Sequence, residues 1–356
     1  MAIIFMDSFD HYTKAEVLNK WSSSALGANN SGIGAGGRFG NCVYFGDWYA
    51  SYLIKNIETH PRTMIVGFAF YQTGPPNGDT IFGLYGGGTL QCKLTWVSAT
   101  SSIKAWTATT DRGAVAIIPS SSWVYIEVKA YIDNAGGTFE VRVSGTPVLV
   151  LSGIDTQAHA SINYIDQVML GRDNPSGVAF NSKYDDCYMC DTTGSVANDF
   201  LGDTRIEYLA PTGAGVRTQF TPSTGSNWQN VDESPASDAD YNSNNSPGAM
   251  DLFQMANLSV NGLVHGVQTI SRAKKDDAGF RKALPVFYKA SGLGDTARFY
   301  KGSQAPVLDS FTNLPIQVMT TSPDTGVAWT VDEVNALQYG YAVGDAGMFT
   351  LDAKVV

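Results

Sequence analysis

The sequence predicts an all-β protein in two parts: an N-terminal β-sandwich and a smaller C-terminal β-rich domain with one short helix. Three observations predict it. From Ile3 to about Asp191, short runs of β-branched and aromatic residues alternate with turn-forming clusters at roughly even spacing, the pattern of a sandwich or barrel. Charged residues make up 16% of the 356, well under the usual share, while glycine reaches 37 and aromatics 12%, which suits flat, weakly charged β surfaces. Helix signals are confined to two brief stretches.

The elements follow in order. SYLIKNI, RTMIVGFAFYQT, DTIFGLYGG, LQCKLTWVS, SIKAWTAT, WVYIEVKAYID, GTFEVRVSG, TPVLVLSG, YIDQVMLGR and KYDDCYMCD are the strand candidates. Asn-Gly, Pro-Pro-Asn-Gly, Asp-Arg-Gly, Asn-Ala-Gly-Gly and Asn-Pro-Ser-Gly supply the turns between them. In WVYIEVKAYID, Val124, Ile126, Val128, Ala130 and Ile132 share one face, and Tyr125, Glu127, Lys129 and Tyr131 share the other. That period of two predicts one buried face and one wet face. The next two runs read as a hairpin with Phe139, Val141 and Val143 inward and a turn at Gly145-Thr146-Pro147. Thr13 and Glu16 are spaced as a capping box for a short helix, as are Thr330 and Glu333 near the end, with Gly340 as the stop.

The text changes after Asp191. Residues 221–250 are rich in Ser, Asn, Asp, Pro and Gly and hold few apolar residues beyond Trp228, Val231 and Tyr241. So long a polar stretch is unusual inside a compact domain and predicts either a functional excursion or an arm that orders only on a partner. The expected division is therefore 1–192 for the sandwich, 193–250 for a connecting arm carrying Trp228, Val231 and Tyr241, and 251–356 for the second β-domain.

Composition also excludes functions. A net charge of −10 without basic runs argues against nucleic-acid binding, which rests on clustered Lys and Arg. No apolar run reaches the ~20 residues of a membrane helix. The opening MAIIFMDSFDHY lacks a basic region and carries Asp7 and Asp10, so no signal peptide is expected and the chain is expected to stay in a cytoplasm. Cys187-x-x-Cys190 resembles a metal or redox motif, but Cys42, Cys92 and the four histidines do not complete a zinc set. On a strand, positions 187 and 190 point to opposite faces. Asp185, Asp186 and Asp191 lack the spacing of a calcium loop. Strand-borne carboxylates occur singly, at Glu127, Asp133 and Glu207, so the pair a glycosidase needs is missing. GIGAGGRFG lacks a following helix and reads as a turn. No cofactor, metal or catalytic residue is expected. The candidate sugar-stacking aromatics are Trp48, Tyr49, Trp96 and Trp106.

Several segments together carry a resemblance: SSSWVYIEVKAYID, FEVRVSGTPVLVLSGIDT, YDDCYMCDTTGSVANDFLGDTRIEYLAPTGAG and FTPSTGSNWQNVDE. The most specific are Asp199-Phe200-Leu201-Gly202-Asp203-Thr204-Arg205 and Thr221 to Trp228. This combination resembles a group of tailed-bacteriophage virion proteins whose N-terminal half is similar to concanavalin A-like (laminin G-like) jelly rolls. The resemblance implies a non-enzymatic structural role in the head, neck, tail or fibre. It also implies localisation to a virion assembled in the host cytoplasm, other virion proteins as partners, and a homo-oligomer. Its alternative implication is a tail-associated receptor-binding protein that recognises host surface glycans.

Overall fold

The structure is a computed structural model and describes residues 2–27, 30–74, 77–173, 177–289 and 298–344, with the backbone of 351–355. The chain divides into two compact units, Met1–Ile206 and Glu207–Val356.

The first unit is a jelly-roll sandwich. Its strands are β1 (Ile3–Asp7), β2 (Ser23–Ser24), β3 (Gly32–Ala35), β4 (Asn41–Phe45), β5 (Ser51–Asn56), β6 (Thr63–Gln72), β7 (Thr80–Gly86) and β8 (Thr89–Val97). They continue as β9 (Ser102–Thr107), β10 (Thr110–Ile117), β11 (Val124–Tyr131), β12 (Gly137–Val143), β13 (Thr146–Ile154), β14 (Gln167–Arg172) and β15 (Ser182–Cys190). One sheet of eight strands runs β13-β12-β11-β6-β15-β4-β3, with β1 also paired to β15; a sheet of seven runs β10-β9-β8-β7-β14-β5-β2. The pairings are antiparallel, so each strand can turn one face to the core and the other outward. Val66, Phe68, Val128 and Val141 of one sheet and Phe82, Leu94, Trp96, Ile103 and Leu170 of the other are buried between them, with Phe68 stacked on Phe82 at 5.5 Å.

The strand alternation of WVYIEVKAYID is realised in β11, whose Ile126, Val128 and Ala130 are fully buried. Its other face is not wet, because Tyr125 and Glu127 are buried too. The hairpin turn lies one residue earlier than expected: Val143 pairs with Thr146, and Ser144 and Gly145 make the turn, both at positive φ. The first capping box forms at Thr13–Glu16, over a 3-10 turn Lys14–Asn19. Thr330 and Glu333 form the second, over the helix Val331–Asn335. Gly340 does not stop that helix. It lies within the following strand, Leu337–Val343, where a Cβ would collide with the Asp251 carbonyl of the neighbouring strand.

The second unit is also β-rich. A six-stranded sheet contains Pro211–Thr218, Met250–Met255, Leu337–Val343 and Arg281–Lys289 in that order, and a five-stranded sheet contains Asn242–Asn244, Leu351–Val355 and Ser271–Lys274. Of the expected segment 193–250, residues 207–250 belong to this unit and 193–206 to the first, so it does not stand apart as a connecting arm. Val231 is fully buried in the unit's core, Trp228 packs against that core, and Tyr241 is half-buried beside Phe311. Asparagine amides tie the segment down as well. Asn227 Nδ2 donates to the Phe220 carbonyl and to Asp251 Oδ2 at 2.6 Å. Asn242 Nδ2 donates to the Asn227 carbonyl and to Tyr341 Oη, and Asn230 Nδ2 donates to Asn242 Oδ1 at 3.0 Å. A buried network of this kind holds a polar sequence in place as firmly as a core holds an apolar one.

Asp251 gives this network a pH dependence. Burial raises its carboxyl to about 7, against the smaller lowering from Asn227 and the Phe220 amide. A carboxyl raised on folding binds its proton more tightly in the folded state. Its contribution is therefore present below the unfolded value of 3.8 and is lost as pH rises through about 7. We expect wild type to lose stability between these limits, at up to ~1 kcal/mol per pH unit, relative to Asp251→Asn. Urea midpoints of both proteins from acid to alkaline pH check this, and parallel curves would refute it.

Candidate functional site

A sandwich of two sheets has two outer faces, and here one of them is closed. On the eight-stranded sheet, Tyr188, Gly67, Glu127 and Arg142 form a row across β15, β6, β11 and β12. The Tyr188 ring fills the space that a side chain at Gly67 would take. Segment 199–206, the DFLGDTR stretch, straps over this row. Tyr188 Oη donates to Glu127 Oε1 at 2.6 Å, and the Gly202 amide donates to the same oxygen at 2.8 Å. The Leu201 amide donates to Tyr188 Oη, Lys129 pairs with Asp199, and the Arg142 guanidinium lies 3.9 Å from the Phe200 ring centroid. This accounts for the buried Glu127: it anchors the strap.

Asp185, Asp186 and Cys190 of YDDCYMC serve the same closure. A bulge interrupts β15 after Asp185, and Asp186 takes a left-handed φ of 46°. Asp185 Oδ2 accepts from the Arg38 amide at 2.7 Å, Asp186 Oδ1 accepts from the Ile206 amide at 2.8 Å, and Arg38 bridges to Asp203. Burial first, and for Asp185 the neighbouring Asp186 carboxylate, raise these carboxyls to about 8 and about 6. Asp191 instead closes a local turn, accepting from the Thr193 amide and hydroxyl. Cys187 pairs with Asp7 of β1, while Cys190 Sγ faces the Asp199 carbonyl of the strap; both thiols are free and buried. Among the described residues, no group of three or more His, Cys, Asp or Glu is arranged to hold a metal.

Among the described residues, no such strap crosses the outer face of the seven-stranded sheet. Its register builds a row of outward positions: Ile54 (β5), Met169 (β14), Gly83 (β7), Lys93 (β8), Trp106 (β9) and Asp111 (β10). Their neighbours along each strand, Leu53, Leu170, Phe82, Leu94 and Ala105, are fully buried in the core, so alternation turns the row away from it. At the centre, the Tyr85 ring takes the space above Gly83, with Leu90 and Met169 around it. Tyr85 Oη donates to Asp173 Oδ2 at 2.5 Å, and burial together with that carboxylate pushes the phenol far above its usual range. Beside this floor stands half-buried Trp106, whose Nε1 donates to Thr95 Oγ1 at 3.1 Å. The ammonium groups of Lys93 and Lys104 lie 5.1 and 5.3 Å from its ring centroid. Lys104 is paired with Asp111. One end of the face is bounded by loop 157–164. Gln91 holds that loop, accepting from the Ala158 amide at 2.6 Å and donating to the Ile162 carbonyl.

Of the four candidate sugar-stacking aromatics, Trp106 lies on this face. Trp96 does not, which corrects that expectation: it is 1% exposed because it shares parity with Cys92 and Leu94, which fill the core. Trp48 and Tyr49 are 61% and 77% exposed on the β4–β5 turn. Buried Arg172 holds that turn, donating to the carbonyls of Asp47 and Tyr49. Tyr85, Lys93 and Thr95 went unassigned in the sequence, although the period of two marks Lys93 and Thr95 as outward beside Cys92, Leu94 and Trp96. An open cleft of about 420 Å³ beside Ala50 is lined by Lys14, Leu18 and Leu26, but the Lys14 ammonium is spent on the Gly27 and Ser31 carbonyls.

Gly83 offers a direct probe of the floor. A Cβ there would sit 2.9 Å from the Tyr85 ring and 3.1 Å from Leu90 Cδ1, so Gly83→Ala must tilt the ring. We expect a loss of about 1–2 kcal/mol in stability together with a changed Tyr85 environment, read from denaturation midpoints and the tyrosine ring resonances.

No family model and no curated protein matches the sequence. Solved structures similar to the chain include an alginate lyase at 11% identity and TM-score 0.40, covering 52% of this chain and 95% of that one. They also include a Trypanosoma rangeli sialidase at 11% identity and TM-score 0.35, covering 47% of this chain and 29% of that one. A further sialidase has 11% identity and TM-score 0.38, with 53% and 18% covered. The expectation of a non-enzymatic virion structural protein finds no support among these structures and is set aside. Among the described residues no helix is long and apolar enough to cross a membrane.

Proposed function

We propose that this chain is a carbohydrate-binding protein and that a glycan lies across the outer face of its seven-stranded sheet. The observation that carries this reading is the setting of Trp106. Its indole stands on the unstrapped face, fixed by a hydrogen bond to Thr95, beside the Tyr85 floor and within reach of two lysine ammonium groups. Sugar rings present apolar C–H faces and hydroxyl edges, and they are held by aromatic rings surrounded by donors and acceptors. The reading is one of binding: in the row, Asp111 is paired with Lys104, and Asp173 at its edge accepts from Tyr85.

Affinity electrophoresis against neutral and acidic polysaccharides tests this. We expect retention by at least one polymer and no release of new reducing ends. Trp106→Ala is expected to weaken retention roughly 30-fold, the size of an interface hot spot of about 2 kcal/mol. Trp48→Ala should bind as wild type. If Trp106→Ala and wild type are retained equally, the proposed site is wrong.

A further inference from the structure

The charge on this face narrows the ligand class, granted that the face binds glycan. Lys104 has a carboxylate partner in Asp111, but Lys93 makes no ion pair among the described residues. It is half-buried, lies between Gly83 and Trp106, and its ammonium contacts the Trp106 ring at 5.1 Å. Its neighbours along the same face of β8 are Gln91 and Thr95, both neutral and both already hydrogen-bonded. Two carboxylates of this face and its edge are engaged by other groups: Asp111 by Lys104 and Asp173 by Tyr85. A chain of net charge −10 thus keeps beside Trp106 a cation without an ion pair among the described residues, on a face that no described segment straps. A ligand carboxylate placed against this ammonium would form a charge-assisted hydrogen bond that no described group of the protein now makes.

We infer that the ligand is an acidic polysaccharide, with the Lys93 ammonium pairing with a sugar carboxylate while the adjacent ring stacks on Trp106. Neutral polymers lack the charged group and should bind more weakly at the same face.

The test compares polygalacturonate with dextran on wild type, Lys93→Gln and Trp106→Ala by equilibrium titration. Thermal melting of each variant confirms that it is folded. The inference predicts binding of polygalacturonate that weakens as salt rises from about 0.05 to about 0.5 M. It also predicts that Lys93→Gln loses about tenfold or more in affinity for polygalacturonate. Any dextran binding should be left as it was. Equal affinity of wild type for both polymers, or an unchanged Lys93→Gln, would overturn the acidic-ligand inference while leaving the glycan site standing. Binding that Trp106→Ala does not alter, or no binding to either polymer, would overturn both.

Discussion

Replacing Asp7 with alanine is expected to destabilise the first unit by about 3–5 kcal/mol, the usual cost of stripping one partner from a buried ion pair. Asp7 is fully buried at the end of β1, and its carboxylate accepts four hydrogen bonds: from the Phe9 amide at 3.0 Å, Tyr12 Oη at 2.6 Å, Lys20 Nζ at 2.8 Å and Trp21 Nε1 at 2.7 Å. Losing it would leave the Lys20 ammonium, 6% exposed, without a counter-charge, 3.4 Å from His11 Nε2. It would also release Phe9 from a left-handed φ of 61° that the carboxylate helps to fix. Burial works to raise the Asp7 carboxyl, but Lys20, His11 and the hydrogen bonds outweigh it, so the group sits below its usual value. A depressed carboxyl contributes stability that is present above the unfolded value of 3.8 and is lost as pH falls through the folded one. The penalty of Asp7→Ala, read from urea midpoints, should therefore be full at neutral pH and shrink in acid. Asp7→Ala with Lys20→Met should recover part of it, and a full, additive double penalty would contradict the ion-pair account.

Arg172→Met is expected to cost a similar amount, about 3–5 kcal/mol, because this guanidinium is fully buried and unites three separate segments. It pairs with Asp79 before β7 and donates to the carbonyls of Asp47, Tyr49 and Val178 at 2.8, 3.2 and 2.7 Å. Its plane also lies over Phe180 at 5.2 Å. Methionine fills the volume but removes the guanidinium from Asp79, which is 5% exposed, and takes one donor from each of three carbonyls, of which Asp47 keeps the Phe180 amide and Tyr49 the Ser51 hydroxyl. Asp79→Asn in the Arg172→Met background should restore part of the loss. A small effect of Arg172→Met on the denaturation midpoint would show that the loops find other donors.

Much of the first unit was legible because antiparallel strands write their burial into alternate residues. Val128 and Phe139 could be assigned to the core from that period alone. The same parity also separates Trp96 from Trp106. Trp96 follows Cys92 and Leu94 inward, while Trp106 follows Lys104 outward, and ranking both by residue type hid the difference. Three features were not legible, because each depends on which distant segment meets which. Glu127 and Tyr125 read as wet because nothing within β11 announces the strap that covers them. The polar stretch 221–250 read as an arm because its anchors are amides, and a buried Asn227–Asp251–Asn242 network has the same composition as a solvated loop. Lys93 drew no notice because an ordinary outward lysine on a strand differs from it only in what lies opposite, and that is set by the register of β7, β8 and β9.

The most direct measurement of the central claim is a crystal structure with an oligogalacturonate bound. The account predicts sugar density on the outer face of the seven-stranded sheet, with one ring stacked within about 4.5 Å of the Trp106 indole and a carboxylate on the Lys93 ammonium. Sugar bound instead at the Trp48–Tyr49 turn, or on the strapped sheet, with the Trp106 face empty, would contradict it.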